Sequence, residues 1–153
     1  MASSASSGAL PEKFFGSYKL ERSENFDELL AAKNINWFLR KMMQMASITK
    51  VIKRDEDGER YVFQNITSAK TMPAWKFKLN EAIEAEGFDG KKHEITFTTD
   101  GEALYEKHIR LEEENKPEET YKYTFDKDYM ILHMSHGGID AKRFLKKMED
   151  KKT

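Results

Sequence analysis

Few residues of this chain are of types that do chemistry, and most of those stand alone. Histidines occur at His93, His108, His133 and His136. The last two lie three apart on a predicted strand and so point to opposite sides, which keeps them from sharing a metal ion. His93 and His108 have no acidic partner at a spacing that fixes one. Cysteine is absent, which removes disulfides, thiolate metal ligands and thiol nucleophiles together. No Ser-His-Asp or paired-carboxylate arrangement rises above chance in a chain with 35% charged residues. Asn65-Ile66-Thr67 is a glycosylation sequon, meaningful only in an exported protein. Arg143, beside Lys142, Lys146 and Lys147, reads on its own as a solvated strand arginine. The stretch Trp37 to Met45 sets aromatic and Met side chains among Arg40 and Lys41, an amphipathic pattern able to touch a membrane or to pack on a neighbouring element.

These residues need a scaffold, and composition limits which one. The 153 residues carry 26 Lys+Arg against 27 Asp+Glu, a net charge of −1, which is one domain's length without the basic field that non-specific nucleic-acid binding needs. Strictly aliphatic or aromatic runs reach only triplets such as Trp37-Phe38-Leu39, against the roughly 20 apolar residues of a membrane-spanning helix. With 39% hydrophobic residues, a large, fully packed interior is not expected. Residues 1–9 read as a disordered leader, lacking the charged and apolar regions of a signal peptide. Residues 10–150 form the folded domain.

From Thr49 onward, short period-two runs alternate with turn signals, which is the pattern of half-buried strands. Strands are predicted at about 49–54, 59–67, 74–79, 82–87, 92–99, 102–111, 119–126, 129–135 and 139–147, with one more at 14–21. Asp57-Gly58, Asp89-Gly90, Asp100-Gly101 and Gly137-Gly138 supply the hairpins. Between the first two strands, Phe26, Leu29, Leu30, Ile35, Phe38, Leu39, Met42 and Met45 follow helical spacing. Two short helices are predicted there, capped by Ser23 and Asn34. The expected fold is all-β, a ten-stranded antiparallel up-and-down β-barrel with a helix-turn-helix lid. Eight strands enclose an interior just wide enough for side chains to fill, so about ten leave a cavity.

Gly16-Ser17-Tyr18-Lys19-Leu20 followed by Asn25-Phe26-Asp27-Glu28-Leu29-Leu30-Ala31-Ala32-Lys33 resembles the N-terminal signature of the fatty-acid-binding protein family. The resemblance continues through Phe77-Lys78-Leu79, Thr99-Asp100-Gly101 and Ser135-His136-Gly137 to Lys142-Arg143-Phe144. Leu10-Pro11-Glu12-Lys13-Phe14-Phe15-Gly16 and Glu119-Thr120-Tyr121-Lys122-Tyr123 look most like its secreted nematode branch. The resemblance implies a barrel that holds one long-chain fatty acid, with no cofactor and no reaction. In the family an Arg-x-Tyr pair on the last strand grips the carboxylate. Here the Arg position matches Arg143, but the Tyr position holds Leu145. A second family arginine falls at Tyr123, which strand alternation places on the inner face with Tyr121 and Phe125. Tyr123 is therefore expected to supply the hydroxyl that Leu145 lacks. Phe26, Leu30, Ile35, Leu39, Leu132, Met134 and Leu145 map to acyl-chain or portal positions. Partners expected from the resemblance are a long-chain fatty acid and transient membrane contact through the lid, in a monomer. A retinoid is the alternative ligand, and a bulk protective or storage role or a lipid-acting enzyme the alternative function. Localisation is expected to be extracellular, with cytoplasmic as the alternative.

Overall fold

A computed structural model describes residues 9–69, 71–87 and 89–149. A 3-10 turn (Glu12–Phe14) precedes β1 (Gly16–Glu24), α1 (Phe26–Ala32) and α2 (Trp37–Met45). Nine strands follow: β2 (Ile48–Arg54), β3 (Tyr61–Thr67), β4 (Trp75–Phe77), β5 (Ile83–Glu86), β6 (Lys92–Thr99), β7 (Leu104–Arg110), β8 (Glu118–Asp126), β9 (Tyr129–His136) and β10 (Ile139–Lys147). Each pairs antiparallel with its sequence neighbour except β4 with β5, and β1 pairs with β10. The sheet thus wraps into a nearly closed barrel whose one unpaired seam lies between β4 and β5, leaving few exposed edges. The expected fold and strand positions are met, apart from the short 3-10 turn. Residues 1–8 of the expected leader, and the domain's last residue at 150, lie outside the described residues.

Turn chemistry closes the hairpins as its residue types require. Asp57 Oδ1 accepts the backbone N–H of Glu59 and Arg60, and Asp100 Oδ1 those of Glu102 and Ala103. Gly137 and Gly138 both adopt positive φ between β9 and β10, the backbone of a two-residue hairpin turn.

The helix caps differ from expectation. Ser23 lies within β1, and the residue at the N-cap of α1 is instead Asn25, which adopts the left-handed region at φ 59° and makes no side-chain cap bond. A bulge in β1 between Leu20 and Arg22 re-phases the strand and carries Ser23 opposite Arg143. The second helix is capped by Asn36, whose side chain accepts the Leu39 N–H at 3.0 Å, whereas Asn34 takes a left-handed turn at φ 65°.

Apart from the β1 bulge, successive side chains of the strands turn alternately into and out of the barrel. One end of the barrel is filled by Leu10, Phe14, Tyr18, Tyr61, Phe77 and Phe97, all buried. Phe14 meets Phe125 edge-on at 4.8 Å, and the Tyr18 hydroxyl donates to the Lys13 carbonyl at 2.7 Å, so the N-terminal segment plugs that end. At the other end Phe26, Leu29 and Leu30 of α1 pack with Ala141, Met134, Ile139 and Ile35.

Helix α2 buries none of its residues. Polar contacts tie it to α1: Arg40 Nε and Gln44 Nε2 both donate to Asp27 Oδ1, at 2.9 and 2.7 Å. Its apolar residues face outward, with Trp37 60%, Phe38 64% and Met45 83% exposed.

Candidate functional site

Arg143 sits on β10, opposite Leu132 of β9 and Ser23 of β1. It is 7% exposed, so strand alternation turns it inward, away from Lys142 and Lys146. The solvated-arginine reading of the isolated sequence is thereby corrected. Its Nε donates to the Ser23 hydroxyl at 3.0 Å, and its guanidinium lies 3.7 Å from the centre of the Phe26 ring on α1. Among the described residues its terminal nitrogens make no hydrogen bond and no carboxylate lies within ion-pair reach. Burial lowers its pKa to about 10, still leaving it charged at neutral pH. A planar guanidinium with unengaged donors under an aromatic cover is built to receive an oxyanion in a charge-assisted, bidentate way.

The opening to this group is a cleft of about 540 Å³ at the lid end, bounded by Leu20, Ser23, Phe26, Met45, Ser47 and Arg143. That is within the roughly 300–1,000 Å³ usual for small-molecule sites. A second cleft of about 470 Å³ lies beside it, lined by Asn25, Met134 and Ala141 among others.

Tyr123 is fully buried and inward, as alternation predicts. Its hydroxyl does not turn to Arg143. It donates to Glu106 Oε1 on β7 at 2.6 Å, so its single proton is committed. Burial, reinforced by the Glu106 charge, holds the phenol well above its ordinary pKa. Leu132 and Leu145 are buried in the barrel, Phe26 and Leu30 beneath the lid, and Ile35 and Met134 half-buried beside them. Leu39 alone of the expected cavity or portal set is largely outside, 47% exposed on α2.

Three groups of polar residues inside the barrel were not found from sequence. Lys50 on β2 is 5% exposed and donates to Asn65 Oδ1 on β3 at 2.7 Å. Desolvation lowers its pKa to about 8, partly opposed by the charge of Glu106. Asn65, the sequon residue, is 2% exposed and engaged by this ammonium, so the folded protein offers no room for a glycan there. On β7, Glu106 also meets His108 Nε2 at 2.5 Å; burial alone would push its carboxyl up, but the bonds from His108 and Tyr123 and the Lys50 charge hold it below the usual range. His93 on β6 completes the set, its Nδ1 2.8 Å from His108 Nδ1 and its Nε2 3.0 Å from Asp89. A signal was available: Glu106 and His108 share a face, and the Asp100-Gly101 hairpin brings His93 alongside. None of this forms a metal centre, since among the described residues no group of three or more His, Asp or Glu converges on one point.

The lid is pinned across the mouth by a further cluster. Lys33, the C-cap of α1, contacts Glu119 Oε2 of β8 at 2.5 Å, both side chains about one-seventh exposed. Arg110 and the Tyr121 hydroxyl donate to the other oxygen of Glu119.

No protein-family model matches the chain. It is 42% identical over 144 residues to fatty acid-binding protein homolog 4 of Caenorhabditis elegans, covering 94% of this chain and 99% of that one. Identity to fatty acid-binding protein homolog 3 of the same worm is 43% over 152 residues, covering 99% and 91%. Among solved structures it is similar to As-p18, an extracellular fatty acid binding protein, with a TM-score of 0.87 and 38% identity over 92% of this chain and 99% of that one. With inward-facing cations, a barrel of this topology and relatives matched over nearly their whole length, the chain belongs to the fatty-acid-binding protein family.

Proposed function

We propose that the protein is a non-enzymatic carrier that takes up one long-chain fatty acid, shields it from water and delivers it. The observation that carries this reading is the buried Arg143 guanidinium, held by Ser23 and Phe26 with its terminal donors unengaged beside the lid-end cleft. A fatty-acid carboxylate moved out of water needs such a donor, because an unpaired buried charge costs several kcal/mol. Lys50 is the second cation. It takes the role expected of Tyr123, whose proton is already given to Glu106. The acyl chain lies against Phe26, Leu30, Ile35, Leu132, Met134 and Leu145, with Leu39 at the portal. Each buried methylene contributes about 0.8 kcal/mol, so affinity rises with chain length until the space is filled.

Delivery involves contact with membranes through α2. That helix keeps its polar side for α1 and turns Trp37, Phe38, Leu39, Met42 and Met45 to solvent, with Lys41 close to the Trp37 ring. Such a face lies flat in the headgroup region of a bilayer. The protein acts as a monomer, and in keeping with the extracellular relative it works outside the cell.

The test is displacement of a fluorescent fatty acid from delipidated protein by oleate and by retinoic acid, in the wild type and in Arg143→Leu. Saturable one-to-one binding, displaced better by oleate and weakened at least several-fold by the substitution, is expected. Better displacement by retinoic acid would make the protein a retinoid carrier, and absence of saturable binding would end the carrier reading.

A further inference from the structure

A chain of hydrogen-bonding groups runs from the surface to the barrel interior and has no part in gripping a carboxylate. Asp89, in the β5–β6 turn, has its side chain 36% exposed; His93, His108 and Glu106 behind it are 8%, 7% and 4% exposed. The contacts are Asp89 to His93 Nε2 at 3.0 Å, His93 Nδ1 to His108 Nδ1 at 2.8 Å, and His108 Nε2 to Glu106 at 2.5 Å. Ionised carboxylates only accept, so both Nε2 atoms must carry hydrogen. Two neutral rings would then have bare lone pairs facing each other at 2.8 Å. No tautomer of two neutral imidazoles with two carboxylates satisfies the three contacts. All three contacts together therefore belong to the chain with one more proton, carried as an imidazolium; without that proton the contact between the two rings is not made.

The fold makes room for this chain. A Cβ at Gly87 would fall 2.5–2.8 Å from three atoms of the His93 ring, so the absence of a side chain at position 87 is what lets the ring lie where it bonds both neighbours. Other charged and titratable groups surround the chain. Lys50 of β2 acts on Glu106, and Arg143 of β10 acts on Lys50. Arg110 of β7 stands 3.9 Å from Asp89. From β8, Tyr123 donates to Glu106, and the Tyr121 ring stands 5.5 Å from His108 with its hydroxyl on Glu119.

We infer that this chain is a proton store coupled to occupancy of the barrel: an anionic ligand settling against Arg143 and Lys50 is accompanied by proton uptake on the Asp89–His93–His108–Glu106 chain, entering from solvent at Asp89. This rests on the carrier reading. The physical cause is the field. A carboxylate beside Lys50 takes over part of that cation's interaction with Glu106, and the buried negative charge that remains favours the protonated imidazole pair. By reciprocity, occupying the store with its proton tightens anion binding. Affinity for the ionised acid therefore rises as pH falls through the range in which the third proton binds, until the ligand's own carboxyl protonates.

The test is calorimetric titration of delipidated protein with oleate at about pH 7, in buffers of different ionisation enthalpy. The dependence of the observed enthalpy on the buffer gives the number of protons exchanged. Wild type is expected to take up a substantial fraction of a proton per oleate. His93→Phe removes the shared proton, and Gly87→Ala displaces the ring without changing any ionisable group. Both are expected to bind oleate one-to-one with uptake near zero. Buffer-independent enthalpy in the wild type overturns the store while leaving the carrier intact. Uptake surviving in whichever substituted protein folds would place the proton outside the His93–His108 contact and equally overturn it. Absence of oleate binding by the wild type ends both readings.

Discussion

Replacing Lys50 by Met tests the electrostatics of the interior, because burial carries a computable cost. The ammonium is taken from 10.5 to about 8 chiefly by desolvation. Each unit is worth about 1.4 kcal/mol, so keeping this charge inside at neutral pH costs about 3 kcal/mol of stability. Above the folded value and below the unfolded one, the unfolded chain binds the extra proton and the folded chain does not. Stability therefore rises with pH between about 8 and 10.5. In Lys50→Met this contribution is absent at every pH. The substitution also leaves the Asn65 carbonyl without its ammonium, at about 1–3 kcal/mol, but that loss does not depend on pH. The assay is urea unfolding of both proteins from neutral pH to about pH 10, where the difference cancels titrations elsewhere in the chain, including those of the buried tyrosines. Relative to the variant, the wild type is expected to gain on the order of 2–3 kcal/mol over this range. Saturating oleate should flatten the gain by bringing a further negative charge to Lys50. A pH-independent difference without lipid would refute the buried-cation account.

Four further outcomes follow from the geometry. Phe26→Leu removes the ring over Arg143 and should weaken oleate binding several-fold while costing about 1–2 kcal/mol in unfolding free energy. Lys33→Met breaks the largely buried contact with Glu119 that pins the lid, so stopped-flow mixing should show faster ligand entry and exit. Trp75 is buried against Phe63, whereas Trp37 is exposed; Trp75 fluorescence should respond to oleate, and Trp37 should shift blue only with lipid vesicles, as Trp37→Phe and Trp75→Phe variants would separate. Glu106, held below the usual range, contributes stability that is present at neutral pH and lost as pH falls through its folded value, so Glu106→Gln should flatten the acid limb of unfolding measured by circular dichroism.

The fold was largely legible because barrel strands and hairpin turns are local features. Period-two runs and Asp-Gly or Gly-Gly turns need no long-range information. Arg143 was legible only through family resemblance, since its neighbours are lysines and its inward turn depends on strand register. Helix capping was misread because Ser23 and Asn34 are good local cap residues, yet the β1 bulge and the left-handed turns at Asn25 and Asn34 moved both helix starts. The interior polar groups were hidden for a different reason. Lys50 sits in an alternating strand where a lysine ordinarily faces water, and Asn65 read as a glycan acceptor. Only the packing of β2, β3 and β7 around one interior shows that these side chains point inward. The outward apolar face of α2 was hidden too, because a helical apolar stripe looks the same whether it packs on a barrel or waits for a membrane.

The most direct measurement is carbon-13 NMR of oleate labelled at the carboxyl carbon and bound to the delipidated protein, followed as a function of pH. The expected result is one bound resonance that stays ionised well below the pH at which free carboxyls of about pKa 4–5 protonate, and loses that protection in Arg143→Leu. A bound carboxyl that titrates as it does in water, or one unchanged by Arg143→Leu, would contradict capture by the buried guanidinium.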